Sequence, residues 1–212
     1  MMFFCASPLI EAYRTSDFFG KSIFLALFIL SIITWAIFFQ KLFQSRLAKQ
    51  GKDSIYTLLK KHPYEIFDLH PKDGPHPFLR IYQTIKEERG RSNREITQAH
   101  VQTTISNETK QLKKNLFILS TIMSLAPFLG LLGTVWGILL TFSELQSGVS
   151  GATSQVVMGG LAMALGTTVC GLLVAIPALI AYSYLKNVIA ILTTEMEDFS
   201  ELLFAYTQAT IK

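Results

Sequence analysis

Three stretches of this chain, residues 22–40, 115–142 and 156–185, contain no Asp, Glu, Lys, Arg or His. A helix needs about 20 mainly apolar residues to cross roughly 30 Å of hydrocarbon. All three runs are about that length or longer, so each is predicted to span a membrane. The second and third exceed the requirement and are expected to tilt, kink or project. Charges mark the edges. Lys21 and Lys41 bracket the first run, Lys113 and Lys114 precede the second, and Lys186 closes the third. The fold class that follows is all-α: a polytopic membrane protein with three transmembrane helices and long helices extending into a polar helical region.

Composition agrees, because only 16% of residues are charged, against about a quarter in a soluble domain. The formal net charge is +4, a value that in isolation points toward nucleic acid. Most of the Lys and Arg, however, lies between residues 41 and 114, beside the apolar runs, and no recognition motif accompanies it. Membrane orientation explains that placement. The 143–155 loop carries no basic residue and one acid, Glu144. The positive-inside rule therefore puts 41–114 and the C-terminal 186–212 in the cytoplasm, with residues 1–21 and the 143–155 loop facing outward. The N-terminal segment lacks a basic region ahead of an apolar one and does not read as a cleaved signal peptide.

The polar region is expected to be helical. Ile55–Lys61 is a short helical candidate, followed by a turn-rich stretch with Pro71, Gly74, Pro75 and Pro77. Phe78–Arg89 reads as a helix closed by Gly90. Ser92 and Glu95 form a capping box that opens another helix. No Gly or Pro interrupts it from Asn93 until Pro127, which predicts one helix running from the polar region into the second span. After the third span, Val188, Ile191, Leu192, Phe199, Leu202, Leu203 and Tyr206 recur at helical spacing.

Metal and cofactor chemistry finds no foothold. Cys5 and Cys170 have no ligand spacing, and Cys170 reads as a small buried apolar residue. His62, His70, His76 and His100 all lie in the polar region without a metal pattern. No nucleophile–base pair points to an enzyme.

The residues with functional content lie in spans two and three. Pro127, Gly130, Gly133 and Gly137 punctuate the second. Ala164, Gly171 and Pro177 punctuate the third, where Ala164, Thr168, Gly171 and Ala175 share one face. Small residues let helix backbones approach closely in lipid. They fit tight packing within one protomer, and equally packing around a narrow pathway that admits another chain's helix. Thr134 and Thr168 fall in the middle of the bilayer at 1.5 Å per residue, with Thr167 beside them. A threonine in a membrane helix commonly bonds its own backbone. Two at that depth on glycine-rich helices also fit a polar pore lining.

Leu125–Leu140, LAPFLGLLGTVWGILL, and Gly160–Tyr182, GLAMALGTTVCGLLVAIPALIAY, resemble the TolQ/ExbB family, relatives of the flagellar stator MotA proteins. The resemblance covers about Asn107 to Tyr182 and includes the three-span layout. It implies a subunit of a bacterial inner-membrane proton-driven motor, with a periplasmic N-terminus. It implies a homopentamer around a pore that holds two copies of a single-span TolR/ExbD-type partner, whose aspartate takes up and releases protons. It also implies work on the cell envelope through a TolA/TonB-type protein, either as TolQ-like Tol-Pal envelope stabilisation or as ExbB-like energised uptake. Thr134 and Thr168 match the family's pore threonines. One position departs: where the family has a glutamate five residues before the pore threonine, this chain has Met163.

The residues alone agree with a divided mechanism. Proton paths through membranes use ionisable groups, and the three spans hold none, so a second polypeptide would have to supply the titrating carboxylate. Threonine hydroxyls can hydrogen-bond or hold water but cannot carry the charge. A non-conducting scaffold that anchors a partner complex is the alternative reading, and the coupled ion is a proton or sodium. Span one, apolar and bulky throughout, suits lipid contact and is expected on the outside of the assembly.

Overall fold

The computed structural model describes residues 10, 12–14, 16–61, 76–88, 94–146 and 154–210. Five long helices account for nearly all of them: α1 (Phe18–Lys61), α2 (Pro77–Glu88), α3 (Arg94–Lys113), α4 (Leu116–Gln146) and α5 (Ser154–Thr210). No strand occurs among the described residues. Three apolar segments, within Phe18–Lys49, Glu95–Gln146 and Val157–Thr207, are long enough to cross a membrane.

The chain divides into two compact units, each built from parts of the long helices: Met1–Ile37 with Phe117–Ser183, and Phe38–Leu116 with Tyr184–Lys212. The first is a three-helix arrangement. Its core joins Ile23 and Leu27 of α1, Ile122 and Ala126 of α4, and Val174, Ala175 and Ala178 of α5. Pro127 and Pro177 sit inside α4 and α5 without ending them. Each removes one backbone N–H, a loss that neighbouring helices and hydroxyl groups can offset in a membrane.

The second unit packs the far end of α1, α2, α3 and the far end of α5. The pairs Arg80–Glu108 (2.5 Å), Thr84–Thr104 (3.4 Å) and Glu88–His100 step along α2 and α3 four residues at a time in opposite directions. That register makes the two helices antiparallel neighbours. Phe199 of α5 lies 5.5 Å from the rings of both Tyr56 and Phe78. Lys52 and Glu195 form an ion pair at 2.7 Å.

Several expectations change. Ile55–Lys61 is not a separate helix but the last two turns of α1, which continues through Gly51. The His76 ring lies where a side chain at residue 51 would go, 2.4 Å from a Cβ placed there, which explains why a residue without Cβ occupies that turn. The helix expected from Phe78 is α2 and starts at Pro77, and the His76 Nδ1 accepts the Leu79 N–H at 3.2 Å to cap it. Proline at the first helical position costs no hydrogen bond. The expected single helix from Asn93 into span two is broken: α3 ends at Lys113, and Asn115 adopts φ 71°. Asparagine tolerates this left-handed conformation, so a chain without Gly or Pro still turns. The helix that carries the second apolar run, α4, continues to Gln146. The turn-rich stretch before His76, Gly90, Ser92, His62 and His70 lie outside the described residues.

Candidate functional site

The face of α4 bearing Gly130, Gly133 and Gly137 lies directly on α5. A Cβ at Gly130 would meet the Thr167 carbonyl at 2.9 Å and the Thr168 Cα at 3.0 Å. One at Gly133 would stand 2.3 Å from Thr167 Oγ1, and one at Gly137 would stand 3.0 Å from both the Ala164 Cβ and the Gly160 carbonyl. On the opposing helix, a Cβ at Gly171 would meet the Ala126 carbonyl at 2.7 Å. Contacts of this kind bring the two backbones close together, most directly where Gly130 faces Gly171, as small residues permit in lipid. The glycine and alanine positions pack α4 against α5 within the chain.

The three threonines differ. Thr167 is wholly buried in the seam, where its hydroxyl donates to the Ala164 carbonyl at 2.7 Å and faces the Gly130 carbonyl at 3.3 Å. Thr168 is half-buried at the seam's margin and donates to the same Gly130 carbonyl at 3.3 Å. Thr134 is also half-buried and donates to the Leu131 carbonyl of its own helix at 2.6 Å. Each hydroxyl keeps acceptor capacity after donating once. Thr134 and Thr168 are thus the more exposed of the three threonines, whereas Thr167 lies inside the seam. Pro127 and Pro177 are half-buried next to the same seam.

Span one contributes a feature that sequence reasoning missed. Asp17 precedes α1 as its N-cap: Oδ1 accepts the Gly20 N–H at 2.9 Å, and Oδ2 accepts the indole N–H of Trp136 at 3.0 Å. The Phe19 and Trp136 rings lie 4.4 Å apart. The Asp17 carboxyl sits below its ordinary range. Burial raises its pKa, but the hydrogen bonds from Trp136 and from the backbone N–H groups outweigh that effect. Asp at an N-cap is the signal that could have found this residue. Its reach to α4 carries no sequence signature.

Met163, the departure noted above, is 2% exposed and packed into a notch over Gly20. A Cβ on Gly20 would lie 2.0 Å from the Met163 Cε and 3.0 Å from Asp17 Oδ1. The thioether fills space that only glycine leaves open, and a flexible apolar side chain is suited to that. No cluster of three or more His, Cys, Asp or Glu able to hold a metal occurs among the described residues.

Comparison with known proteins agrees with this geometry. The profile of the MotA/TolQ/ExbB proton channel family matches residues 75–198, which include all of α4 and most of α5. A biopolymer transport protein ExbB from Pseudomonas putida is 30% identical over 197 residues, 89% of this chain and 60% of its own length. An ExbB-like biopolymer transport protein from Helicobacter pylori is 49% identical over 88 residues, 42% of this chain and 58% of its own. The Tol-Pal system protein TolQ of Haemophilus influenzae is 44% identical over 82 residues, 39% of this chain and 36% of its own. The chain thus spans about 60% of the length of the first two relatives. With three membrane-crossing helices, a glycine seam bordered by mid-span hydroxyls and a family match over more than half its length, the chain belongs to the MotA/TolQ/ExbB proton channel family.

Proposed function

We propose that this chain is the pore-forming subunit of an inner-membrane motor that couples proton motive force to work on the cell envelope. Five copies surround two single-span partners of the TolR/ExbD type. Each partner brings a carboxylate to the level of Thr134 and Thr168, and the hydroxyls hydrogen-bond it or hold water beside it as it gains and loses a proton. The N-terminus faces the periplasm and the C-terminus the cytoplasm, in line with the basic 41–114 region.

One observation carries this reading. Segments 22–40, 115–142 and 156–185 hold no ionisable Asp, Glu, Lys, Arg or His, so a proton-coupled cycle needs a titrating group from another polypeptide. Support also comes from the family match, from relatives named ExbB and TolQ, and from the half-buried hydroxyls of Thr134 and Thr168. Co-expression with the single-span partner encoded nearby tests it. The two should co-purify, and changing the partner's membrane aspartate to asparagine should abolish proton flux without releasing the partner. A partner next to Tol-Pal genes assigns the TolQ-like role, and one next to TonB-type genes the ExbB-like role. Replacing the proton gradient by a sodium gradient separates the two ions.

Met163 favours a second reading, a non-conducting scaffold. Its buried thioether occupies the place where the family resemblance implies a glutamate. A partner-bound assembly with no flux at any pH would support the scaffold.

A further inference from the structure

We propose that Lys41 and Lys114 form a binding site for the phosphate group of an anionic phospholipid at the inner end of span one. Lys41 is 5% exposed, far less than lysine ordinarily is. Its ammonium donates to the Gln44 side-chain oxygen at 3.0 Å and to the Gln111 carbonyl at 3.1 Å. Both acceptors are neutral, and a lysine has three donors. Among the described residues, neither Lys41 nor Lys114 takes part in an ion pair.

A buried charge normally has a partner of opposite sign. Here the charge that acts on Lys41 is that of another cation, Lys114, whose backbone N–H shares the Gln111 carbonyl with the Lys41 ammonium. The helix break produces this juxtaposition. The Lys114 N–H bonds back to the Gln111 carbonyl at 3.3 Å, the same oxygen that Lys41 reaches, and Asn115 then turns the chain at φ 71°. The turn holds Lys114, which is exposed, beside a buried ammonium with a donor to spare. Two neighbouring cations, neither of them ion-paired among the described residues, suit a bound anion.

A phospholipid suits this site better than a free anion. Phe39, Phe43 and Leu47, four residues apart along α1, are exposed apolar side chains that begin before Lys41 and run past it, Phe43 to 67%. They extend the lipid-facing surface of span one past Lys41, so acyl chains lie at the level of the two lysines. Basic pockets between membrane helices are suited to anionic headgroups in this way.

The test uses the full chain, purified in a neutral detergent. Phosphatidylglycerol, phosphatidylcholine and inorganic phosphate are added separately, and lipid retention by native mass spectrometry and the thermal midpoint are measured. Phosphatidylglycerol should be retained and should raise the midpoint, with phosphatidylcholine and inorganic phosphate ineffective. Lys114→Gln should weaken phosphatidylglycerol binding about five-fold, the effect of one lysine at an anionic surface. Lys21→Gln, at the other end of α1, should leave it unchanged. Lys41→Gln should weaken it further if that variant folds; if it does not, Lys114→Gln carries the test. Equal effects of the two lipids, an equal effect of inorganic phosphate, or undiminished binding by Lys114→Gln would each overturn the proposal.

Discussion

The indole N–H of Trp136 donates to the Asp17 carboxylate at 3.0 Å, tying the residue just before span one to the C-terminal half of span two. Asp17 also caps α1 through Gly20. Asp17→Ala removes a cap worth about 1 kcal/mol and a hydrogen bond to a charged group worth about 1.5–3 kcal/mol. The variant should therefore lose about 2–3 kcal/mol of stability, after allowance for water filling in. The chain has two tryptophans, so a Trp35→Phe background isolates Trp136, whose emission should shift in Asp17→Ala. Unchanged emission and thermal midpoint would remove Asp17 from this role.

The same pair predicts a pH response. The folded-state pKa of Asp17 is lowered, so its stabilising contribution is complete above the unfolded-state value and is lost as pH falls through the folded one. Trp136 emission should be flat from about pH 8 to pH 5 and change only below about pH 4. Asp17→Asn should remove that acid-side change. A transition near neutral pH that Asp17→Asn abolishes would contradict the assignment.

Glycine substitutions separate the seam from open positions. Gly133→Ala places a methyl 2.3 Å from Thr167 Oγ1, and overpacking of this kind costs about 1–3 kcal/mol. Gly133→Leu should prevent folding or assembly. Gly159 has nothing within 4 Å of an added Cβ, so Gly159→Ala should be neutral or stabilising by up to about 1 kcal/mol through helix propensity. Detergent-resistant assembly and thermal midpoints measure both, and equal behaviour of the two alanine variants would refute the seam.

In the polar unit, Arg80 pairs with Glu108, whose side chain is nearly buried. Arg80→Ala leaves that carboxylate without its cation and should cost about 1–3 kcal/mol. Arg80→Met with Glu108→Leu should recover much of the loss, because replacing both partners avoids the buried unpaired charge. Denaturant unfolding followed by helical circular dichroism reads the difference.

Thr134→Val and Thr168→Val keep side-chain shape and delete a hydroxyl, each at a half-buried position with its bond going to a backbone carbonyl. Stability should change by about 1 kcal/mol or less, while partner-dependent flux should fall at least about ten-fold, which corresponds to about 1.4 kcal/mol in the barrier. Thr167→Val differs: its hydroxyl is buried in the seam, so loss should appear in stability. Normal flux in both Thr134→Val and Thr168→Val would make them backbone-bonded packing residues.

The spans were legible because twenty uncharged residues in a row have few other uses, and the glycine seam because small residues at helical spacing mark close approach. The Asn115 turn was not, since asparagine is an ordinary helix-surface residue and its tolerance of a left-handed φ does not by itself mark a turn. Nor was the continuity of α1 through Gly51 legible, because the His76 ring that this glycine accommodates lies 25 positions further along the chain. Asp17 with Trp136 and Met163 with Gly20 join residues more than a hundred positions apart. No periodicity in one sequence encodes such pairs. Sequence reasoning also grouped Thr167 with Thr134 and Thr168, since adjacency does not reveal that one hydroxyl turns into the seam and the other to its edge.

Proton flux into liposomes holding this chain by itself tests the central claim most directly. With no carboxylate in any span, the reconstituted chain should leak no faster than empty liposomes under an imposed pH gradient. Flux should appear only when the single-span partner with its aspartate is co-reconstituted. A substantial, protein-dependent proton leak without the partner would contradict the claim that the titrating group belongs to another polypeptide.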